Sequence, residues 1–203
     1  ASKLPLKKTK GDFNNFLTPK ISFRFNPSDM KNYSTSKRKI NMDNIFDINR
    51  LGIDDTFESG NSLTVGVDFK KENKKNKENY LELKLGSVFR DKNESNIPAQ
   101  TTLNKKNSNL FGSIDYAISE FLNLDYNFAI DNKIESFEYN SIGFGLSLNN
   151  FITKFNFIEE DSASGNTNVF ENVSKYDFNN ENSISFKTRR NREINLTEYY
   201  DLI

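Results

Sequence analysis

Apolar and polar residues alternate one for one along most of this 203-residue chain, the period of a strand with one greasy face. SLTVGVDF at 62–69 and FLNLDYNFAI at 121–130 show the pattern without interruption. Alternation predicts nine strands, at 16–25, 62–71, 79–90, 109–118, 121–130, 135–148, 151–159, 181–189 and 193–203. Ile21, Phe23 and Phe25 oppose Lys20, Ser22 and Arg24 in the first; Leu63, Val65, Val67 and Phe69 oppose Thr64, Gly66 and Asp68 in the second. Such a repeated face must meet either a protein core or lipid.

The connections sharpen the choice. Long segments fall at 26–61, 91–108 and 160–180, always at odd places in the series, while 72–78, 119–120, 149–150 and 191–192 are brief. This parity predicts an all-β, antiparallel up-and-down transmembrane β-barrel segment, with long polar loops at one rim and tight turns at the other. A sandwich, whose crossovers fall on either end, gives no reason for it. About nine strands make an odd count, and an open edge cannot sit in lipid, so the segment is expected to belong to a larger barrel. Residues 1–15 read as an N-terminal flank or turn and 16–203 as part of one barrel domain.

Composition removes several function classes. The chain has 28 Lys+Arg against 28 Asp+Glu, which argues against nucleic acid as a partner. It has no Cys and no His, so thiol nucleophiles, imidazole bases and the usual zinc ligands are missing. No catalytic residue, cofactor or metal site is expected, and the protein does not read as an enzyme. Mean hydropathy is −0.73 and no run of about 18 apolar residues occurs. That excludes a membrane-crossing helix but not a barrel, whose strands are polar at every second position. The opening ASKLPLKKTKGD lacks the apolar core of a signal peptide, as expected of a cytosolic protein or an internal piece of a longer chain.

The most distinctive stretch is NIFDINRLGIDDTFESGNSLTVGVDF at 44–69. It resembles the LPS-assembly family LptD of Gram-negative outer membranes at Ile45, Phe46, Asn49, Arg50, Gly52, Asp54, Glu58 and Gly60. Collinear segments at 16–28, 80–90, 109–131 and 192–203 are similar as well. Asp55 stands where the family usually has Arg, and Ser87 where it has Gln. The resemblance implies an outer-membrane barrel that inserts lipopolysaccharide into the outer leaflet without covalent chemistry. It also implies as partners lipopolysaccharide, outer-membrane lipid and, through other parts of the chain, a plug lipoprotein like LptE and periplasmic bridge proteins. Two other readings stay open: a porin-like or receptor-linked channel with the same wall, and a soluble secreted β-rich binding module.

Arg24, Asp68, Glu82, Lys84, Asp115, Asp125 and Lys154 fall on the polar face and are candidates to line a lumen, against the plainer reading of a solvated wall. Arg50 is expected to pair with Asp54 and Asp55, as a loop-ordering pair or as a phosphate or sugar contact. Gly143 and Gly145 suggest a bend or close packing rather than a phosphate loop, since no helix follows. Glu198 breaks the apolar face of Ile194, Leu196, Tyr200 and Leu202; it either lies near headgroups or marks a register slip.

Overall fold

The computed structural model describes residues 1–162, 165–179 and 181–202. Twelve strands form one antiparallel sheet: β1 (Ser2–Lys3), β2 (Leu6–Lys10), β3 (Phe13–Asn26), β4 (Gly60–Asn73), β5 (Tyr80–Arg90), β6 (Leu110–Ser119), β7 (Leu122–Ile130), β8 (Phe137–Leu148), β9 (Phe151–Ser162), β10 (Gly165–Asp177), β11 (Ser183–Asn191) and β12 (Leu196–Leu202). From β3 onward each strand pairs with its neighbours in sequence. β1 and β2 share one edge of β3 and β12 forms the other edge, so the sheet is an open run of up-and-down strands rather than a closed ring. The only helical element among the described residues is a single 3-10 turn at Ala99–Thr101, and no helix is long and apolar enough to cross a membrane.

Period-2 register makes the faces distinct. Phe23, Leu85, Leu124, Ile142, Phe155 and Phe186 lie on one face, called outer here, and all remain exposed. No second layer packs on them, which removes the sandwich alternative. The opposite, inner face carries the polar alternation, and the molecule's main core sits there. Met30, Ile40, Met42, Ile45, Leu51 and Ile53 from the β3–β4 loop, with Ile97 and Leu103 from the β5–β6 loop, bury against Val88, Phe111 and Ala129. The long loops, polar as they are in composition, are therefore not wholly solvated. Full burial of an aliphatic side chain contributes roughly 1.5–3 kcal/mol, and Ile45, Leu103 and Ile97 are 0–1% exposed.

Three strands exceed the nine expected. β1 and β2 lie in the supposed N-terminal flank, and β10 lies inside the supposed long loop 160–180. β10 escaped notice because it puts apolar residues on both faces, Phe170 and Tyr176 outward but Val169 and Val173 inward, so neither face reads as continuous. Its presence also reverses the last turn. With β9 and β10 joined across 163–164, the 192–195 connection falls at the long-loop rim rather than the short-turn rim. Ile203, the expected end of the last strand, is outside the described residues.

The Glu198 ambiguity resolves as a register slip. A bulge lets Arg189 pair with Tyr199 while Arg190 pairs with Thr197. The unpaired Glu198 accepts hydrogen bonds from Arg189 Nε (2.5 Å) and Asn191 Nδ2 (3.3 Å). Its charge is thus compensated by polar partners instead of standing alone on the apolar face.

Candidate functional site

The 27–59 loop is shaped by its own short polar side chains. Asn41 Oδ1 accepts from the backbone N–H of Asp43 (3.0 Å) and Asn44 (3.3 Å), while Asn44 Oδ1 accepts from Asn41 N–H. This turn drives Ile45 into the core. Four residues on, Asn49 closes a second ring on Ile53, donating to its carbonyl (2.7 Å) and accepting from its N–H (3.0 Å). Gly52 (φ +64°) and Gly60 (φ +79°) take the left-handed backbone that glycine adopts without strain. At Gly60 the chain enters β4.

Just before Gly52 the loop locks onto the sheet through Arg50. Its side chain is 0% exposed and its guanidinium grips Glu58 with two prongs, Nε to Oε2 at 2.8 Å and Nη2 to Oε1 at 2.5 Å. It also donates to Thr64 Oγ1 (2.9 Å), Ser62 Oγ (3.1 Å) and the Ile45 carbonyl (3.4 Å). Arg90, equally buried, donates to Glu58 Oε1 and to the Ser59 carbonyl. Glu58 thus holds two buried cations. Burial alone would push its carboxyl up, but the Arg50 hydrogen bonds and the charges of Arg50, Arg90 and Arg24 hold it below the usual carboxylate range.

This corrects the expected pairing of Arg50 with Asp54 and Asp55. Asp55 instead binds the exposed Lys31 (2.5 Å) and the hydroxyl of half-buried Tyr33, and Asp54 is exposed. Sequence distance misled: Asp54 is nearer along the chain, but the Asn49 ring and Gly52 turn the backbone so that Glu58 faces Arg50. Among the described residues no group of three acidic side chains is arranged to hold a metal ion.

Two close approaches seat the loop. A Cβ on Gly66 would stand 2.7 Å from the Phe46 ring and from the Leu85 carbonyl, so only glycine leaves room for Phe46. Met42 and Ile45 pack over Gly86. At its far end the loop reaches β9, where Lys39 pairs with Glu160 and lies over the Tyr139 ring.

All seven polar-face candidates occupy the loop-bearing face. Arg24 donates to the Asp47 carbonyl, and Asp68 pairs with Lys20. Lys84 lies 3.2 Å from Glu82 and 4.0 Å from Asp115. Asp125 sits directly opposite Asp115 and over Gly143, while Lys154 opposes Gly145 and Val173. The structure thus joins Glu82, Lys84, Asp115 and Asp125 in one patch and leaves Arg24 and Lys154 apart from it. Arg90 was missed; its signal was its position opposite Ser62 at the end of β5, two residues from the apolar Val88.

One long antiparallel sheet with an uncovered apolar face, and a polar face over which its own loops fold, defines the wall of an outer-membrane-type β-barrel. The family model described as LptD, LPS transport system D, matches residues 4–188, and the chain belongs to that family. Its role is accordingly in lipopolysaccharide transport and assembly at the outer membrane. No curated protein matches the chain.

Proposed function

We propose that residues 16–203, with the edge strands before them, form part of the wall of an outer-membrane barrel that delivers lipopolysaccharide into the outer leaflet. In this reading the outer face meets hydrocarbon and the inner face borders an aqueous interior. The long-loop rim is extracellular and the short-turn rim periplasmic. The two long loops fold inward and narrow the extracellular mouth beside β3–β9, so polar cargo passes along the remaining inner face. A plug lipoprotein and periplasmic bridge proteins engage other parts of the full protein.

The observation that carries this reading is the pairing of a bare apolar face with a loop-bearing polar face in one sheet. The test places photo-crosslinkers at Asp125 and Lys154 of the full-length protein in cells. Lipopolysaccharide adducts at both are expected. Solute flux through the barrel without any such adduct overturns the reading in favour of a diffusion channel.

A further inference from the structure

Charge is even over the whole chain but not over its surface. At the short-turn rim the β2–β3 turn and the β4–β5 turn lie side by side, joined where Lys74 donates from its backbone N–H to the Asp12 carbonyl (2.9 Å) and from Nζ to the Gly11 carbonyl (2.6 Å). This brings LKKTKGD and KKENKKNKEN, distant in sequence, to one place. Lys8, Lys10, Lys71, Lys74, Lys75 and Lys77 are all exposed there, against Asp12 and Glu78 as exposed acids. Among the described residues none of the six forms an ion pair.

Register aims half of them at the outer face. Lys8 pairs with Asn15, Lys10 with Phe13 and Lys71 with Asn15, in the same alternation as the outward Leu6, Leu17 and Phe69. The Lys71 ammonium lies 4.3 Å from the centroid of the Phe13 ring. Apolar band, aromatic ring and ammonium groups therefore follow one another down the outer surface, the order in which a leaflet presents acyl chain, interface and headgroup. A lysine placed so contributes attraction to anionic headgroups and little to a closed protein core.

We propose that this rim is a binding surface for the phosphates of anionic glycerophospholipids, which the six lysines gather around the foot of β2–β4. The proposal rests on the reading that the outer face meets lipid. Charge complementarity and continuity with the apolar band commit it to a headgroup whose acyl chains lie against Leu6, Leu17 and Phe69.

The test reconstitutes the full-length protein into nanodiscs of one part phosphatidylglycerol to three parts phosphatidylcholine and analyses retained lipid by native mass spectrometry. Wild type should enrich phosphatidylglycerol several-fold, on the order of tenfold at low salt. The preference should fall as salt rises from about 0.05 to about 0.5 M. Replacing all six lysines (K8Q, K10Q, K71Q, K74Q, K75Q, K77Q) should abolish it, while K105Q with K133Q at the opposite rim should leave it intact. Equal retention of both lipids by wild type, an unchanged preference in the six-fold variant, or equal enrichment of lipid A when it replaces phosphatidylglycerol overturns the proposal. Heat-modifiable migration is read on every sample. A protein that neither inserts nor shows it sinks the barrel reading, whereas an inserted barrel without lipid preference sinks only the lysine rim.

Discussion

Phe46 and Val173 look onto the same face of the same sheet, yet one is packed and the other is exposed. Over β3–β6 the inner face is covered by loop, which packs on the small or uncharged Ser22, Thr64, Gly66, Gly86, Val88 and Ser113, with the charged Arg24, Asp68, Glu82, Lys84 and Asp115 on the same face around them. Over β9–β11 the core cluster supplies no cover, and Lys154, Lys175, Lys187 and Arg189 take those positions. Both regions present apolar side chains outward, the second less continuously because β10 also turns Asn172 and Ser174 to that side. The inner face is where they diverge: the small residues Ser22, Thr64, Gly66, Gly86 and Ser113 leave room for a docked loop, while Lys154 and Lys175 stand exposed on the second sector. One sheet thus carries a rigid, loop-filled sector beside an open one.

Removing the lock of the covered sector should have the largest effect. E58Q leaves Arg50 and Arg90 buried without a counter-charge, which costs about 3–5 kcal/mol. Amide exchange over 40–57 should then accelerate roughly a hundredfold or more, with β9–β11 unchanged. Equal protection in variant and wild type would show that the apolar contacts alone hold the loop. Acid should do the same to the wild type. The Glu58 carboxyl titrates below its ordinary value of 4.5, so its stabilisation is complete above that value and is lost as pH falls through the lower, folded value. Loop protection should be flat from pH 7 to about pH 5 and collapse only below about pH 4. A transition centred near neutrality would contradict the assignment.

Glycine substitutions compare the two sectors directly. G66A drives a methyl into the Phe46 ring and the Leu85 carbonyl, neither of which can swing aside freely, and should cost about 1–3 kcal/mol. G143A meets first the Asp125 carboxylate, 2.2 Å from where the new methyl would stand but at the end of a rotatable side chain on the open side. It should change stability by less than about 0.5 kcal/mol. Thermal loss of heat-modifiable migration ranks the two, and similar costs would erase the distinction between filled and open sectors.

The outer face was legible because lipid or a core demands the same strict period, and Leu63 through Phe69 or Leu122 through Ile130 supply it. β10 was not, because Val169 and Val173 blur the period. β2 was not either, because four of the residues in Leu6–Lys10 are polar and pairing with β3 comes from backbone bonds that carry no side-chain signature. At the candidate site, the family motif located the loop and its turn-forming Asn49, Gly52 and Gly60. Composition concealed the docking: Met42, Ile45 and Leu51 are spaced through Asn and Asp with no strand or helix period, so only the fold brings them to one side.

A small effect is also expected where the loop ends its reach across the sheet. Lys39 is 54% exposed while its partner Glu160 is only 9% exposed. A pair with one solvated member contributes about 0–1 kcal/mol, and Glu160 keeps a further interaction when Lys39 is lost. K39Q should therefore raise amide exchange only a few-fold, confined to 36–44, and leave the segment around Arg50 protected. If K39Q instead releases the whole loop as E58Q does, the β9 contact is the clamp. The boundary between filled and open sectors would then be set from the far strand rather than from the buried carboxylate beside β4.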